Sequence, residues 1–254
     1  MCPCHGWSYG PDGQCVKIPA HPDQKPPAKA RATTYRARRA YGLVWVSLGQ
    51  PGHDIPHFPK WGDESYRKIL CGPYSFDAAG TRAVENFLDV VHFPFVHAGY
   101  LGDPQHPEID DYEVQLSEEG IVAEGITVWQ PDPDGSGKGA RVTYTYRVLR
   151  PMTAYFTSTF EEPAFAAYFT VLPTDEVGCC AWMWLAMNYS QEQPEAVIRE
   201  FEDAVTAQDI PIVESQRPEL LPLDLPAELH LRSDRTAIAY RKWLQELGLV
   251  FGTV

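Results

Sequence analysis

At 254 residues and 28.6 kDa, with 44% hydrophobic residues, seven Trp, thirteen Tyr and eleven Phe, the chain has material for one large domain, or one ordinary domain plus a fragment, and for an aromatic-lined cavity. A net charge of −13 and a pI near 5.0 argue against nucleic acid and anionic membranes as partners, since both are bound by displacing counterions with basic surface. No run of about 18 apolar residues appears, and the opening MCPCHGWSYG has neither the basic nor the apolar region of a signal peptide, so the expectation is a cytoplasmic protein.

In chain order, the run Gly10, Pro11, Asp12, Gly13 is turn chemistry, and a Pro-rich basic stretch follows it. Tyr41 to Leu48 (YGLVWVSL) reads as a buried strand. Gly49 to Asp63 is rich in Pro, Gly and His and reads as a linker, dividing the chain into units 1–55 and 56–254. The second unit opens with RKILCGPYSFDAAG, and its apolar spacing then predicts a helix from about Ala83 that loosens near Pro94. Alternating and aromatic-rich runs predict strands at Tyr112–Leu116, Ile121–Trp129, Arg141–Leu149, Ala154–Phe160, Ala164–Leu172 and Cys179–Asn188, with Pro131 to Gly139 as a hairpin loop. Among their aromatic residues, Trp129, Tyr144, Phe156, Phe160, Tyr168 and Trp184 alternate, so that some should face a cavity. Two helices close the chain, Gln193 to about Gln216 with Pro194 near its first turn, and Asp234 to Leu247 with Asp234 as N-cap. Strands bracketed by helices give an α+β layer, a long helix against an antiparallel sheet. Six cysteines without a regular spacing do not suggest a disulfide framework, and the adjacent Cys179 and Cys180 are expected to be buried.

Two clusters carry chemistry. The first is CPCHGWSYG, where Cys2 and His5 form a CxxH pair in a tight loop. A thiolate and an imidazole so placed can each ligate one iron of a [2Fe–2S] cluster, and a bare CxxH is equally half of a zinc site. The second is ENFLDVVHFPFVH, with Asn86, Asp89, His92 and His97. On a helix Asp89 and His92 share a face, whereas His97 would be carried past it unless Pro94 bends the backbone. Two imidazoles and one carboxylate can bind ferrous iron on one face and leave positions open. For that carboxylate the penultimate helix offers Glu202, Asp203, Asp209 and Glu214, and the apolar neighbours Ile210 to Val213 favour Asp209.

CPxHGWxY and DxxHxxxxH after ENF together resemble the oxygenase subunit of Rieske non-haem iron oxygenases, of the ring-hydroxylating and O-demethylating type, over nearly the whole chain. The resemblance implies a helix-grip (START-like) catalytic domain at 56–254, preceded by a partial all-β Rieske domain at 1–55. It implies a mononuclear Fe(II) on His92, His97 and Asp209, Rieske-cluster ligation by Cys2 and His5, and a bridge between the two metal sites through Asp89 at a subunit contact. It further implies an aromatic substrate, dioxygen, electrons from NAD(P)H through a ferredoxin or reductase, and a homotrimer, the last supported by likeness of LHLRSDRTAIAYRKWLQELG to that branch's closing helix. The family's upstream CxH pair does not occur after Met1, and Cys4 is sterically unable to replace it, so a normal [2Fe–2S] cluster is expected only in a longer chain. The rival readings are a helix-grip ligand-binding module or inactive remnant without redox function, and a structural zinc protein.

Overall fold

The computed structural model describes residues 1–118, 120–133, 136–159 and 164–254. The chain divides into two compact units, Met1–Ile55 and Pro56–Val254. Phe160 and the centre of the expected Pro131–Gly139 loop lie outside the described residues.

The first unit contains two small antiparallel pairs. Strand β1 (Ser8–Tyr9) pairs with β2 (Cys15–Lys17), and β3 (Arg36–Ala40) with β4 (Leu43–Ser47). Tyr41 and Gly42 turn the second pair, with φ of 55° and 71°, the positive values that a two-residue hairpin turn demands. Two expectations change here. The run YGLVWVSL is one arm of a two-stranded ribbon and is only half-buried, with Val44 63% and Val46 59% exposed, because a ribbon of two strands has no second layer for its outer face. Its partner β3 was hidden in the basic stretch, since Arg36, Arg38 and Arg39 give no apolar alternation.

The second unit is a seven-stranded antiparallel sheet with strand order β5-β11-β10-β9-β8-β7-β6. Strands β6 (Glu113–Ser117), β7 (Gly120–Gln130), β8 (Ala140–Arg150), β9 (Thr153–Thr159), β10 (Ala164–Asp175) and β11 (Gly178–Met187) form a meander at the six expected places. Strand β5 (Arg67–Phe76) adds an unexpected seventh beside β11. Its Gly72 and Pro73 look like a turn in sequence. They are accommodated where the register slips between Ala181 and Met183, and the strand lies at the sheet edge, where a missing N–H is tolerated.

Helix α1 (Gly80–Leu88) lies against the inner face of the sheet, followed by the single turn α2 (Phe93–Val96), the long α3 (Glu195–Ser215) and α4 (Arg235–Glu246). Val142, Tyr144, Tyr146 and Val148 alternate along β8 and form one core with Ala83, Val84 and Leu88 of α1 and Tyr240, Trp243 and Leu244 of α4. Burying each large side chain of this kind contributes about 1.5–3 kcal/mol. The expected helix bending at Pro94 is in fact two helices. The backbone turns extended at Asp89 (φ −90°, ψ 132°), and Pro94 stands in the first turn of α2, where its missing N–H forfeits no bond. Pro194 is the N-cap of α3. Asp234 occupies the N-cap position of α4 as expected, but its carboxylate accepts the Leu231 N–H at 2.7 Å. Cys179 is buried and Cys180 half-buried. Among the described residues no helix is long and apolar enough to cross a membrane.

Candidate metal centre

The break between α1 and α2 builds one side of the site. Asp89 Oδ1 accepts the Val91 N–H at 2.9 Å and so fixes the turn that ends α1. Its other oxygen, Oδ2, lies 2.9 Å from His92 Nδ1. His92 is then the N-cap and His97 the C-cap of the single turn α2, and this turn sets their Nε2 atoms 3.2 Å apart. The kink credited to Pro94 in sequence is thus supplied by residues 89–91.

The other side is α3. Asp209 Oδ1 lies 3.1 Å from His97 Nε2 and 3.4 Å from His92 Nε2, and Gln208 Oε1 lies 2.8 Å from His97 Nδ1. Pro211, within the helix, deprives the Ala207 carbonyl of its amide partner just before these two residues. His97 is 1% exposed, His92 13% and Asp209 17%.

The outward nitrogens face acceptors, Asp89 for His92 and Gln208 for His97, so each Nδ1 donates its proton outward and, in the neutral ring, each Nε2 turns a lone pair inward. Asp209 Oδ1 is buried facing both Nε2 atoms. Three ligand atoms therefore converge on one point, an arrangement that a metal cation satisfies in place of a proton. A triangle with sides of 3.1–3.4 Å places each corner about 1.9 Å from its centre, close to a metal–imidazole bond of about 2.0–2.1 Å. His92, His97 and Asp209 are the one group of three or more such ligand atoms within mutual reach among the described residues.

The electrostatics agree with this geometry. Burial opposes the imidazolium, yet Asp209 and Asp89 outweigh it and push the pKa of His92 up to about 9. Burial likewise opposes the Asp209 carboxylate, but the two histidines bring it down to about 2. Positive charge is what this cluster draws in.

The site opens on a cavity of about 430 Å³, large enough for a one- or two-ring substrate. Phe87 floors it, stacked on Phe169 at 4.7 Å and Phe156 at 5.4 Å between ring centres. Of the alternating aromatics, Tyr144 and Phe156 line this cavity. Tyr168 and Trp184 pack on the opposite face of the sheet, against Phe58 and Trp61, and Trp129 packs against His106.

The carboxylates that competed with Asp209 have other places. Asp203 accepts the Tyr74 hydroxyl at 2.6 Å, Glu214 accepts the Asp77 N–H at 2.9 Å, and Glu202 is buried in the cavity wall. Gln208 and Glu202 were not singled out from sequence as site residues. A polar pair directly before an apolar run was the only signal for Gln208. In the first unit, Gly6 and Cys2 close a loop, with the Cys2 N–H on Trp7 O at 2.7 Å and the Gly6 N–H on Cys2 O at 2.9 Å. His5 Nε2 lies 3.8 Å from Cys4 Sγ, and among the described residues Cys2 and His5 join no third ligand.

Residues 76–249 match the family described as Vanillate O-demethylase oxygenase C-terminal domain, and residues 1–35 match the Rieske [2Fe-2S] domain. The chain belongs to the Rieske non-haem iron oxygenases. It is 32% identical to methylxanthine N1-demethylase NdmA of Pseudomonas putida, across 97% of this chain and 70% of that protein. It is 31% identical to the probable methylxanthine N7-demethylase NdmC of Pseudomonas sp. (strain TJI-51), across 85% and 79%. The solved structure of NdmA with caffeine superposes with a TM-score of 0.84 at 28% identity, covering 97% of this chain and 71% of that one. The fold is accordingly the α+β catalytic architecture of these oxygenases, and the protein is an oxidoreductase of the Rieske type.

Proposed function

We propose that this chain is the oxygenase component that hydroxylates or oxidatively demethylates an aromatic substrate, with one non-haem iron held by His92, His97 and Asp209. In this reading residues 1–55 belong to the Rieske domain, to whose [2Fe–2S] cluster Cys2 and His5 contribute ligands, and residues 56–254 form the catalytic domain. Electrons come from NAD(P)H through a partner ferredoxin or reductase, and the functional form is a cytoplasmic homotrimer. The observation that carries the reading is the triangle of three metal-ligating atoms opening on an aromatic cavity.

Iron bound there supplies the chemistry of dioxygen. The protein's own residues do the rest. Asp89 and Gln208 hold the Nδ1 protons of His92 and His97, which fixes both tautomers and raises the basicity of both ligands. Phe87, Phe156 and Tyr144 give a planar ring apolar walls and keep water from it. Asp89, whose side chain is 37% exposed, has one oxygen on His92 and reaches solvent, where a neighbouring subunit can present a cluster-ligating histidine to it.

Metal analysis of anaerobically purified protein tests the reading. The wild type retains one iron per catalytic domain, and His92→Ala loses it. A wild-type chain that holds no iron after reconstitution, or a His92→Ala chain that holds it unchanged, overturns the assignment and leaves a ligand-binding module of the same fold.

A further inference from the structure

The cavity wall has an unusual charge balance. Its acidic side chains are Glu202, Asp209 and, at the exposed rim, Asp132, and no Lys or Arg is among the described lining residues. The seven residues outside the description include no basic side chain either. At the end of the cavity remote from His92, His97 and Asp209, an anionic group would therefore give up its hydration with no Lys or Arg beside it and with Glu202 of its own sign, a cost of several kcal/mol.

Glu202 is the decisive group. It is 8% exposed and stands seven residues before Asp209, so both lie on one face of α3, two turns or about 10.5 Å apart along the axis. Its one side-chain hydrogen bond among the described residues is from Thr206 Oγ1 to Oε1 at 3.3 Å, which leaves acceptor capacity on a carboxylate that lines the cavity together with Leu185, Met187 and Ile198. Facing the same space from β8, the Tyr146 hydroxyl is 1% exposed and has no partner. An acceptor at the far end of the cavity and an unpaired hydroxyl on the sheet wall are polar groups that an apolar ring alone leaves unsatisfied.

We infer that the substrate is an uncharged or cationic aromatic that presents N–H donors to Glu202, and that Glu202 excludes aromatic carboxylates. This rests on the proposed reading of the cavity as the place where substrate meets the metal. Glu202 recognises the end of the substrate remote from the metal, and Tyr146 donates to a substrate carbonyl or ether oxygen. Burial pushes the Glu202 carboxyl up to about 7, so it is ionised at pH 8 and acts there as an acceptor.

The test uses a matched pair of probes, 4-methoxybenzamide and 4-methoxybenzoate, which differ in charge and in N–H donors but hardly in shape. Their dissociation constants are measured by titration calorimetry at pH 8 on the metal-free chain, so the outcome does not depend on whether the iron assignment stands. The wild type binds the amide at least tenfold more tightly than the benzoate. Glu202→Gln, which removes the charge and keeps the size, reduces that ratio below threefold, chiefly by admitting the benzoate. Equal binding, preference for the benzoate, no binding of the amide, or an unchanged ratio in a folded Glu202→Gln chain overturns the inference. The wild-type ratio decides by itself if the variant does not fold. A chain that binds the amide selectively but holds no iron would remove the metal reading and leave the polarity of the cavity as argued.

Discussion

The Oε1 atom of Gln208 lies 2.8 Å from Nδ1 of His97, so the residue next to Asp209 fixes the histidine that Asp209 faces. Gln208→Leu keeps the volume and removes the acceptor, leaving the buried Nδ1–H of His97 unpaired and its ring free to turn. Metal affinity should fall about 10–100-fold, with the secondary structure unchanged. Competition for Fe(II) or Co(II) against a chelator of known affinity measures it, and Gln208→Glu, which keeps an acceptor, should restore most of the loss.

Asp89→Asn keeps the Asx turn, because an amide oxygen still accepts from Val91, and the mononuclear metal should stay bound. What the change removes is the carboxylate charge beside His92. In the cluster-bearing oxygenase, reoxidation of the reduced cluster with substrate and dioxygen present should slow severely. Stopped-flow absorbance follows that step, and a rate equal to wild type would leave Asp89 with a purely structural role.

The buried Glu202 carboxyl makes stability depend on pH. Its folded-state value is raised from 4.5 to about 7 by burial, with Asp209 and Asp203 adding to the rise and Thr206 opposing it; Cys71 and Tyr74 of β5 face it uncharged, their own pKa values pushed upward. A raised carboxyl favours the protonated form, so its stabilisation is complete below pH 4.5 and is lost as pH rises toward 7. Glu202→Gln should therefore melt at a higher temperature than wild type at pH 8, by an amount corresponding to roughly 3 kcal/mol, with the gap closing toward pH 5. Thermal melts of the metal-free proteins across that range check it.

Arg241 is 3% exposed and bonds both oxygens of Glu85 at 2.6 and 2.8 Å, one oxygen of Glu228 at 2.5 Å and the Pro222 carbonyl at 3.1 Å. Arg241→Met leaves Glu85 buried with a weaker partner and should cost about 3–5 kcal/mol, read from urea unfolding. Burial raises the Glu228 pKa, but Arg82 and Arg241 together bring it below its ordinary 4.5. A lowered carboxyl stabilises above its unfolded value and loses that contribution as pH falls below about 4.5. Acid sensitivity in that window should shrink in Arg241→Met.

Much of the sheet was legible because one of its faces is buried. Tyr144 and Tyr146 alternate with Thr143 and Thr145, and that period of two names a strand wherever it occurs. Strand β5 was not, since Gly72 and Pro73 obey turn chemistry until a bulge in β5 sets the two of them opposite the single Trp182 of β11. The gathering of His92 and His97 with an acid was legible in type and spacing, but the device that turns the chain was not. Pro94 is conspicuous in sequence, whereas the extended backbone at Asp89 that ends α1 carries no comparable mark. Nor could sequence separate Glu202 from the other acids of α3. Val197, Phe201 and Ile212 of that helix are each more than 40% exposed, so its apolar residues point several ways and do not declare which face turns inward.

The edge pairing of β5 fixes an order of assembly. Strands β7 to β11 each pair with the strand made just before them, so the meander can zip up as it is synthesised. Strand β5 leaves the ribosome first and waits for β11, its Cys71 finding Met183 only when the meander is complete. His92 and His97 are likewise made before the sheet, and Asp209 after it. The three donor atoms therefore meet only once α3 has folded over a finished sheet, and a nascent chain interrupted after Met187 has its two histidines in place and no carboxylate to close the site.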